Sequence, residues 1–229
     1  MSDKAARVIA IDGPSASGKS TVTRMTAQKL GCLYVDSGSF YRGITWKALR
    51  DGLDTADAEQ VIALINRMEM TSHIQDKSVM FSIDNEEPGD QIRSQPVQEH
   101  VSDIAAVPEV RAFVVSMLRD TARFGSVAME GRDIGTVVFP DTPYKYYLDA
   151  DPEERARRRF SELADDSGYQ NVEAVYASLK RRDRKDTTRT AAPLQIALGA
   201  KVIDSTAMTA EEVVDIILAD IHRLEGTAA

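Results

Sequence analysis

The residues whose types and spacing could do chemistry begin at Gly13. Gly13-Pro14-Ser15-Ala16-Ser17-Gly18-Lys19-Ser20 fills the phosphate-binding template G-x-x-x-x-G-K-[ST] at every fixed position. Its glycines let the backbone curl until successive N–H groups point inward as an anion nest. In a loop of this kind Lys19 reaches the β/γ phosphates as a point charge, and Ser20 offers a hydroxyl to Mg²⁺.

Arginines form the second concentration of chemistry. Residues 153–189 hold 10 of the 28 Lys+Arg against 8 of the 36 Asp+Glu. The segment is therefore basic inside a chain whose net charge is −8. Arg155, Arg158 and Arg159 share a helical face, and Arg182, Asp186 and Arg189 stand at i, i+4 and i+7, two guanidiniums around a carboxylate. Arginine suits bidentate phosphate contact. An Arg-rich helical hairpin downstream of a phosphate loop is what a closing lid needs, to expel water and bring cations onto a transferring phosphoryl group.

The elements that must position these residues read as an alternating α/β chain. Val8–Ile11 is a buried strand, Lys19–Leu30 a helix closed by Gly31, and Leu33–Val35 a second strand ending at Asp36-Ser37-Gly38. Helices are predicted over 40–50 and 57–68. Residues 69–93 break the rhythm, with strands near 69–74 and 79–83, which reads as a small antiparallel insertion. Helices follow over 96–106 and 108–124, the second with Pro108 at its start and Gly125 after its end. Val127–Met129 and Tyr144–Leu148 are strands, the first ending in Glu130-Gly131-Arg132-Asp133. Asp151 caps a helix with Pro152 in its first turn. The polar gap Asp165–Gly168 separates it from a helix over 171–185. Lys201–Asp204 is the last strand, and Thr209 with Glu212 forms a capping box for the last helix. The pattern predicts a parallel sheet of about five strands flanked by helices, with the small antiparallel insertion and the helical lid.

Composition excludes several classes. The 229 residues suit one α/β domain with insertions or two small ones, and 43% hydrophobic and 28% charged content is ordinary for a soluble globular protein. The net charge argues against a general nucleic-acid coat, and no apolar run has membrane-spanning or signal-peptide length. A cytoplasmic protein is expected. Cys32 is a buried thiol by its place in an apolar strand, and His73, His100 and His222 lack metal spacing. No Asn-Lys-x-Asp base-reading motif supports a GTPase, and the one Asp-x-x-Gly, Asp165–Gly168, follows no strand. Tyr146-Tyr147-Leu148-Asp149 only superficially resembles the acid-ended strand of an ATP-driven motor. A small-molecule kinase fits; a non-catalytic nucleotide sensor is the rival from another class.

Three motifs then make a resemblance specific: Asp36-Ser37-Gly38-Ser39-Phe40-Tyr41-Arg42, Glu130 to Pro140, and Arg182-Asp183-Arg184-Lys185-Asp186 with Arg189. Together, and across nearly the whole chain, they resemble the bacterial cytidylate kinase family. The resemblance implies phosphoryl transfer from ATP to CMP or dCMP, with Mg²⁺, by a monomer that binds neither nucleic acid nor membrane. A kinase of another nucleoside monophosphate is the nearest alternative. It implies one kinase domain with its core at 1–61, 107–150 and 190–229, a monophosphate-binding insertion at 62–106 and a lid at 151–189.

It also implies site roles. Gly13, Pro14, Ser15, Ala16, Ser17, Gly18, Lys19, Ser20 and Thr21 would bind ATP, with Ser20, and Glu130 through water, on the metal. The acceptor would meet Ser37, Tyr41, Arg42, Ser102, Arg111, Arg132, Asp133, Arg182, Asp186 and Arg189. Ser37, Ser102, Arg111 and Asp133 would read the base, and Tyr41, Arg42, Arg132 and Arg189 would hold its phosphate. Arg182 and Asp186 would lie near sugar and phosphates, with Asp186 on the ribose hydroxyls. Lys19, Arg132, Arg182, Arg189 and Asp133 would carry the transfer, and Arg158 would be a lid cation. Asp133 could also be a structural partner of Arg111.

Overall fold

The computed structural model describes residues 6–162 and 171–227. Among these residues seven strands form one sheet in the order β3-β4-β2-β5-β1-β6-β7. They are β1 (Val8–Asp12), β2 (Leu33–Asp36), β3 (Met70–Gln75), β4 (Ser78–Ile83), β5 (Val127–Gly131), β6 (Tyr144–Asp149) and β7 (Lys201–Asp204). The five expected strands β2, β5, β1, β6 and β7 run parallel. The β3–β4 hairpin is antiparallel, as predicted, but it is not a separate patch. β4 joins β2 in parallel through Tyr34 and Ser78, and Tyr34 N donates to Lys77 O at 2.9 Å. Satisfying the open edge of β2 accounts for this, because unpaired strand groups must find partners.

Among the described residues eight α-helices cover the sheet: α1 (Lys19–Leu30), α2 (Ser37–Arg50), α3 (Ala58–Arg67), α4 (Gln95–Ile104), α5 (Pro108–Asp120), α6 (Pro152–Glu162), α7 (Val172–Thr188) and α8 (Ala210–Thr227). Their starts follow local chemistry. Asp57 caps α3 through the N–H groups of Glu59 and Gln60, Asp151 accepts from Glu153 and Glu154, and Asn171 accepts from Ala174. Thr209 and Glu212 exchange bonds at 2.8 and 3.3 Å, the predicted capping box.

Three boundaries differ from expectation. α2 begins at Ser37 rather than Phe40, because the Asp36 carboxylate accepts from Ser39 N and lets the helix start as the strand ends. The helix expected over 108–124 stops at Asp120 and finishes as a tight 3₁₀ turn over 121–124. Glu130 and Gly131 lie within β5, and beyond them Ile134–Val138 forms a π-helical turn that no periodicity signals. The predicted gap Asp165–Gly168 lies outside the described residues.

Strand alternation divides the core between the two faces. Ala10, Val35, Val127 and Met129 point to one face, where α2, α3, α4 and α5 pack. Ile9, Ile11, Tyr34, Ala128 and Tyr146 point to the other, under α1 and α8. Fully burying a side chain such as Ile44, Leu64 or Leu118 contributes about 1.5–3 kcal/mol each. Cys32 is buried on the α1 side, and burial pushes its thiol up. Among the described residues no helix is long and apolar enough to cross a membrane.

Candidate active site

The carboxyl ends of β1, β2 and β5 open on one crevice, the place where open α/β sheets bind ligands. The loop after β1 is Gly13–Gly18. The ends of β2 and β5 deliver Asp36–Ser37 and Glu130–Asp133, and α6 and α7 arch over them. Together these surround a cavity of about 550 Å³.

Close approach explains the glycines here. A Cβ on Gly13 would sit 2.1 Å from Leu148 O, and one on Gly131 would sit 2.7 Å from Ser37 Oγ. No larger residue fits between these strand ends.

Lys19 is 5% exposed. Its Nζ curls back to donate to Pro14 O and, at 3.3 Å, to Ser17 Oγ. Burial, reinforced by the Arg132 charge, lowers its ammonium to about 7. Ser20 Oγ donates to Glu130 Oε2 at 2.9 Å, and the Tyr34 hydroxyl donates to Glu130 Oε1. Burial raises the Glu130 carboxyl, helped by Asp36 nearby.

At the far wall, Arg111 Nη2 donates to Asp133 Oδ2, and both residues are buried. Arg189 Nη2 stands 3.9 Å from Asp133 Oδ1 and is itself buried, with no hydrogen-bond partner among the described residues. The Arg111 guanidinium lies 5.3 Å from the centre of the Tyr41 ring. Arg42 Nη2 donates to Asp36 Oδ2 at 2.6 Å. Burial favours the neutral Asp36 carboxyl, but Arg42 and Arg93 outweigh it and hold it below its usual value.

Between loop and wall, Arg132 Nε donates to Asp186 Oδ2 at 2.9 Å and Arg132 Nη2 to Ser15 Oγ at 2.7 Å. Burial and the neighbouring Arg132 charge lower the Arg182 guanidinium to about 10. Burial opposes the Asp186 charge as well, but Arg132, Arg182 and Arg189 prevail and keep its carboxyl low.

Of the residues singled out from sequence, Ser15, Ala16, Gly18, Lys19, Ser20, Thr21, Ser37, Tyr41 and Arg42 line this one cavity. So do Ser102, Arg111, Glu130, Arg132, Asp133, Arg182, Asp186 and Arg189. Gly13, Pro14 and Ser17 shape the loop from behind. Arg158 is not brought to the cavity. Its Nη2 donates to Ser205 O at 2.7 Å and Thr206 O at 3.0 Å, tying α6 to the turn after β7. The face expected to hold Arg155, Arg158 and Arg159 thus sends three guanidiniums to three places. Arg159 reaches the cavity and donates to Gln98 Oε1 of α4 at 2.8 Å.

Sequence reasoning missed the hub at Ser15. Its N–H donates to Asp183 Oδ1 at 3.2 Å, its carbonyl accepts from Arg155 Nη1 at 2.9 Å, and its hydroxyl accepts from Arg132. Arg155 also pairs with Asp183, so α6 and α7 both grip one loop residue. Asp183 stands inside a motif already singled out, but the loop it faces is 168 residues away. Arg93, Gln98 and Arg159 were likewise missed as lining residues.

The arrangement can hold a polyphosphate at one end and a flat polar ring against a carboxylate–guanidinium pair at the other, with cations between. Known proteins carry the same sequence pattern. The profile of the cytidylate kinase family matches residues 9–223. A protein named cytidylate kinase from Pelotomaculum thermopropionicum is 43% identical over 215 residues, covering 93% of this chain and 95% of that one. One so named from Limosilactobacillus fermentum is 41% identical over 218 residues, covering 94% and 95%. Another from Mycobacterium leprae is 41% identical over 208 residues, covering 90% and 92%.

Proposed function

The chain belongs to the cytidylate kinase family, and from that premise we propose that it transfers the γ-phosphoryl group of ATP to CMP and dCMP. The products are ADP and CDP or dCDP. The observation that carries this reading is the cavity itself. The loop of Lys19 and Ser20 stands at one end, the buried Arg111–Asp133 pair at the other, and Arg132, Arg182 and Arg189 lie between.

The acceptor oxygen belongs to an already ionised phosphate, so no general base is needed. Positioning and charge neutralisation supply the catalysis. Lys19 leaves Pro14 O and Ser17 Oγ for the ATP phosphates, and their charge restores its ammonium form. Arg132, Arg182 and Arg189 neutralise the phosphoryl group in flight and the acceptor phosphate, with Tyr41 and Arg42 holding the latter. Asp186 orients Arg132 and faces the acceptor ribose.

Cytosine offers an amino group at N4. Arg111 occupies Asp133 Oδ2, which leaves Oδ1 to accept from N4. Uracil would present a carbonyl there, acceptor against acceptor, and a buried mismatch of that kind discriminates strongly. Ser37 and Ser102 complete the ring contacts.

Mg²⁺ fits this site as a companion of ATP. A hydroxyl and one carboxylate, Ser20 and Glu130, suit a hard cation that keeps most of its waters. Among the described residues no group of three or more His, Cys, Asp and Glu could hold a cation alone. Ser20 would hold the ion directly and Glu130 through water, with phosphate oxygens and waters as the other ligands. When bound, the ion withdraws charge from the phosphates.

A single domain with the insertion at 62–106 and the lid at 151–189, acting as a monomer in the cytoplasm without nucleic acid or membrane, completes the reading. ADP release with a panel of nucleoside monophosphates tests it.

A further inference from the structure

Asp12 is the last residue of β1 and directly precedes Gly13 of the phosphate loop. It is 3% exposed. Its Oδ1 accepts from Ile134 N and its Oδ2 from Gly135 N, both at 2.8 Å. Those are the two residues that follow Asp133. Burial raises the Asp12 carboxyl to about 6, even though both N–H groups favour its charge. Keeping a carboxylate there is costly, and the two bonds are what it accomplishes.

Backbone topology shows why the hold falls where it matters. β1 and β5 are paired up to Asp12 and Gly131, and there the ladder ends. Beyond it the chain has left the sheet, and the first N–H groups of the π-helical turn have no ladder partner. A side chain from the neighbouring strand supplies both. Asp133 is thereby fixed from two sides: its carboxylate by Arg111, and the backbone just after it by Asp12. Gly135 leaves no slack, since a Cβ there would meet Ala197 Cβ at 3.2 Å, Lys145 Cγ at 3.3 Å and Asp12 Oδ2 at 3.4 Å.

We propose that Asp12 is a positioning residue for acceptor-base recognition: its two oxygens hold the backbone of Ile134 and Gly135 so that Asp133 faces the base. One residue then both feeds the ATP loop and sets the geometry of base selection. This rests on the reading of Asp133 as the base-recognising carboxylate.

Asp12→Asn keeps the shape but turns one acceptor into a donor facing an N–H. The test measures steady-state kinetics of wild type, Asp12→Asn and Asp133→Ala with CMP and UMP as acceptors. For Asp12→Asn the expected result is a KM for CMP raised at least about tenfold. The CMP:UMP ratio of kcat/KM falls similarly, and the KM for ATP moves less than about threefold. An unchanged CMP:UMP ratio in Asp12→Asn, with the ratio eroded in Asp133→Ala, overturns the inference and leaves the base reading intact. A ratio unchanged in Asp133→Ala overturns the base reading itself, and with it the route by which Asp12 acts. A KM for ATP rising as much as that for CMP marks a general structural role and also overturns the inference. Should Asp12→Asn not fold, Gly135→Ala presses on the same contact from the other side and is judged by the same outcomes.

Discussion

Arg132 and Asp186 join the loop after β5 to α7: Arg132 Nε donates to Asp186 Oδ2 at 2.9 Å, across 54 positions of sequence. The bond aims Arg132 over the phosphate loop, where Nη2 donates to Ser15 Oγ. Asp186→Ala removes the carboxylate that holds this aim. The expected result is a fall in kcat/KM of about 10²-fold or more and a loss of stability of about 1–3 kcal/mol, because a partly buried guanidinium loses its carboxylate. Asp186→Asn keeps an acceptor for Nε and should retain more of both. Steady-state kinetics and urea unfolding check this, and equal activity for Ala and wild type would contradict it.

Lys19 titrates near neutrality in the free protein, so ATP binding should draw in a proton. Burial and Arg132 lower its ammonium to about 7, and the phosphates restore its charge. Near pH 8, calorimetry in buffers of different ionisation enthalpy should register proton uptake that Lys19→Met abolishes. The stability sign follows by linkage. The folded state binds this proton less tightly than the unfolded chain, so the free protein gains stability as pH rises from about 7 toward 10. Lys19→Met should flatten that rise, and turnover should fall by orders of magnitude while the fold persists.

The helix signals, the phosphate loop and the caps were legible because they are local. Asp57, Asp151, Asn171 and Thr209 announce helix starts within three residues. The Asp36–Arg42, Glu130–Pro140 and Arg182–Arg189 segments pointed to one site, and their lining residues share a cavity. Less local relationships were not legible. Asp183 and Arg155 meet Ser15 only once α6 and α7 have packed over the loop, and no spacing announces that. Arg158 and Arg159 are neighbours in sequence, yet only Arg159 reaches the cavity. The joining of β4 to β2 and the π-helical turn at 134–138 depend on edge pairing and on Asp12, which neither periodicity nor propensity encodes.

Ser20 Oγ donates to Glu130 Oε2 at 2.9 Å, and both would face the cation, so removing the Ser20 hydroxyl should alter the cation requirement more than the fold. Ser20→Ala should raise the Mg²⁺ concentration needed for half-maximal activity by about tenfold, with the melting temperature little changed. Chelation of divalent cations should abolish transfer in wild type. Activity that persists in chelator would contradict the assignment.

Asp57→Ala separates stability from catalysis. The carboxylate caps α3 through two N–H groups and does not line the cavity. Its loss should cost about 1 kcal/mol in unfolding experiments and leave kcat and both KM values unchanged. A changed kcat would mean that α3 is coupled to the site.

The loop of Lys19 and the Arg111–Asp133 pair are expected to bind two nucleotides for direct transfer, the second of them a cytidine monophosphate. The most direct test is the rate of ADP release from ATP and Mg²⁺ with AMP, GMP, UMP, CMP and dCMP as acceptors. CMP and dCMP should give kcat/KM values at least about 10²-fold above UMP and the purine nucleotides. CMP no better than the other acceptors, or ADP release independent of any acceptor, would contradict the account.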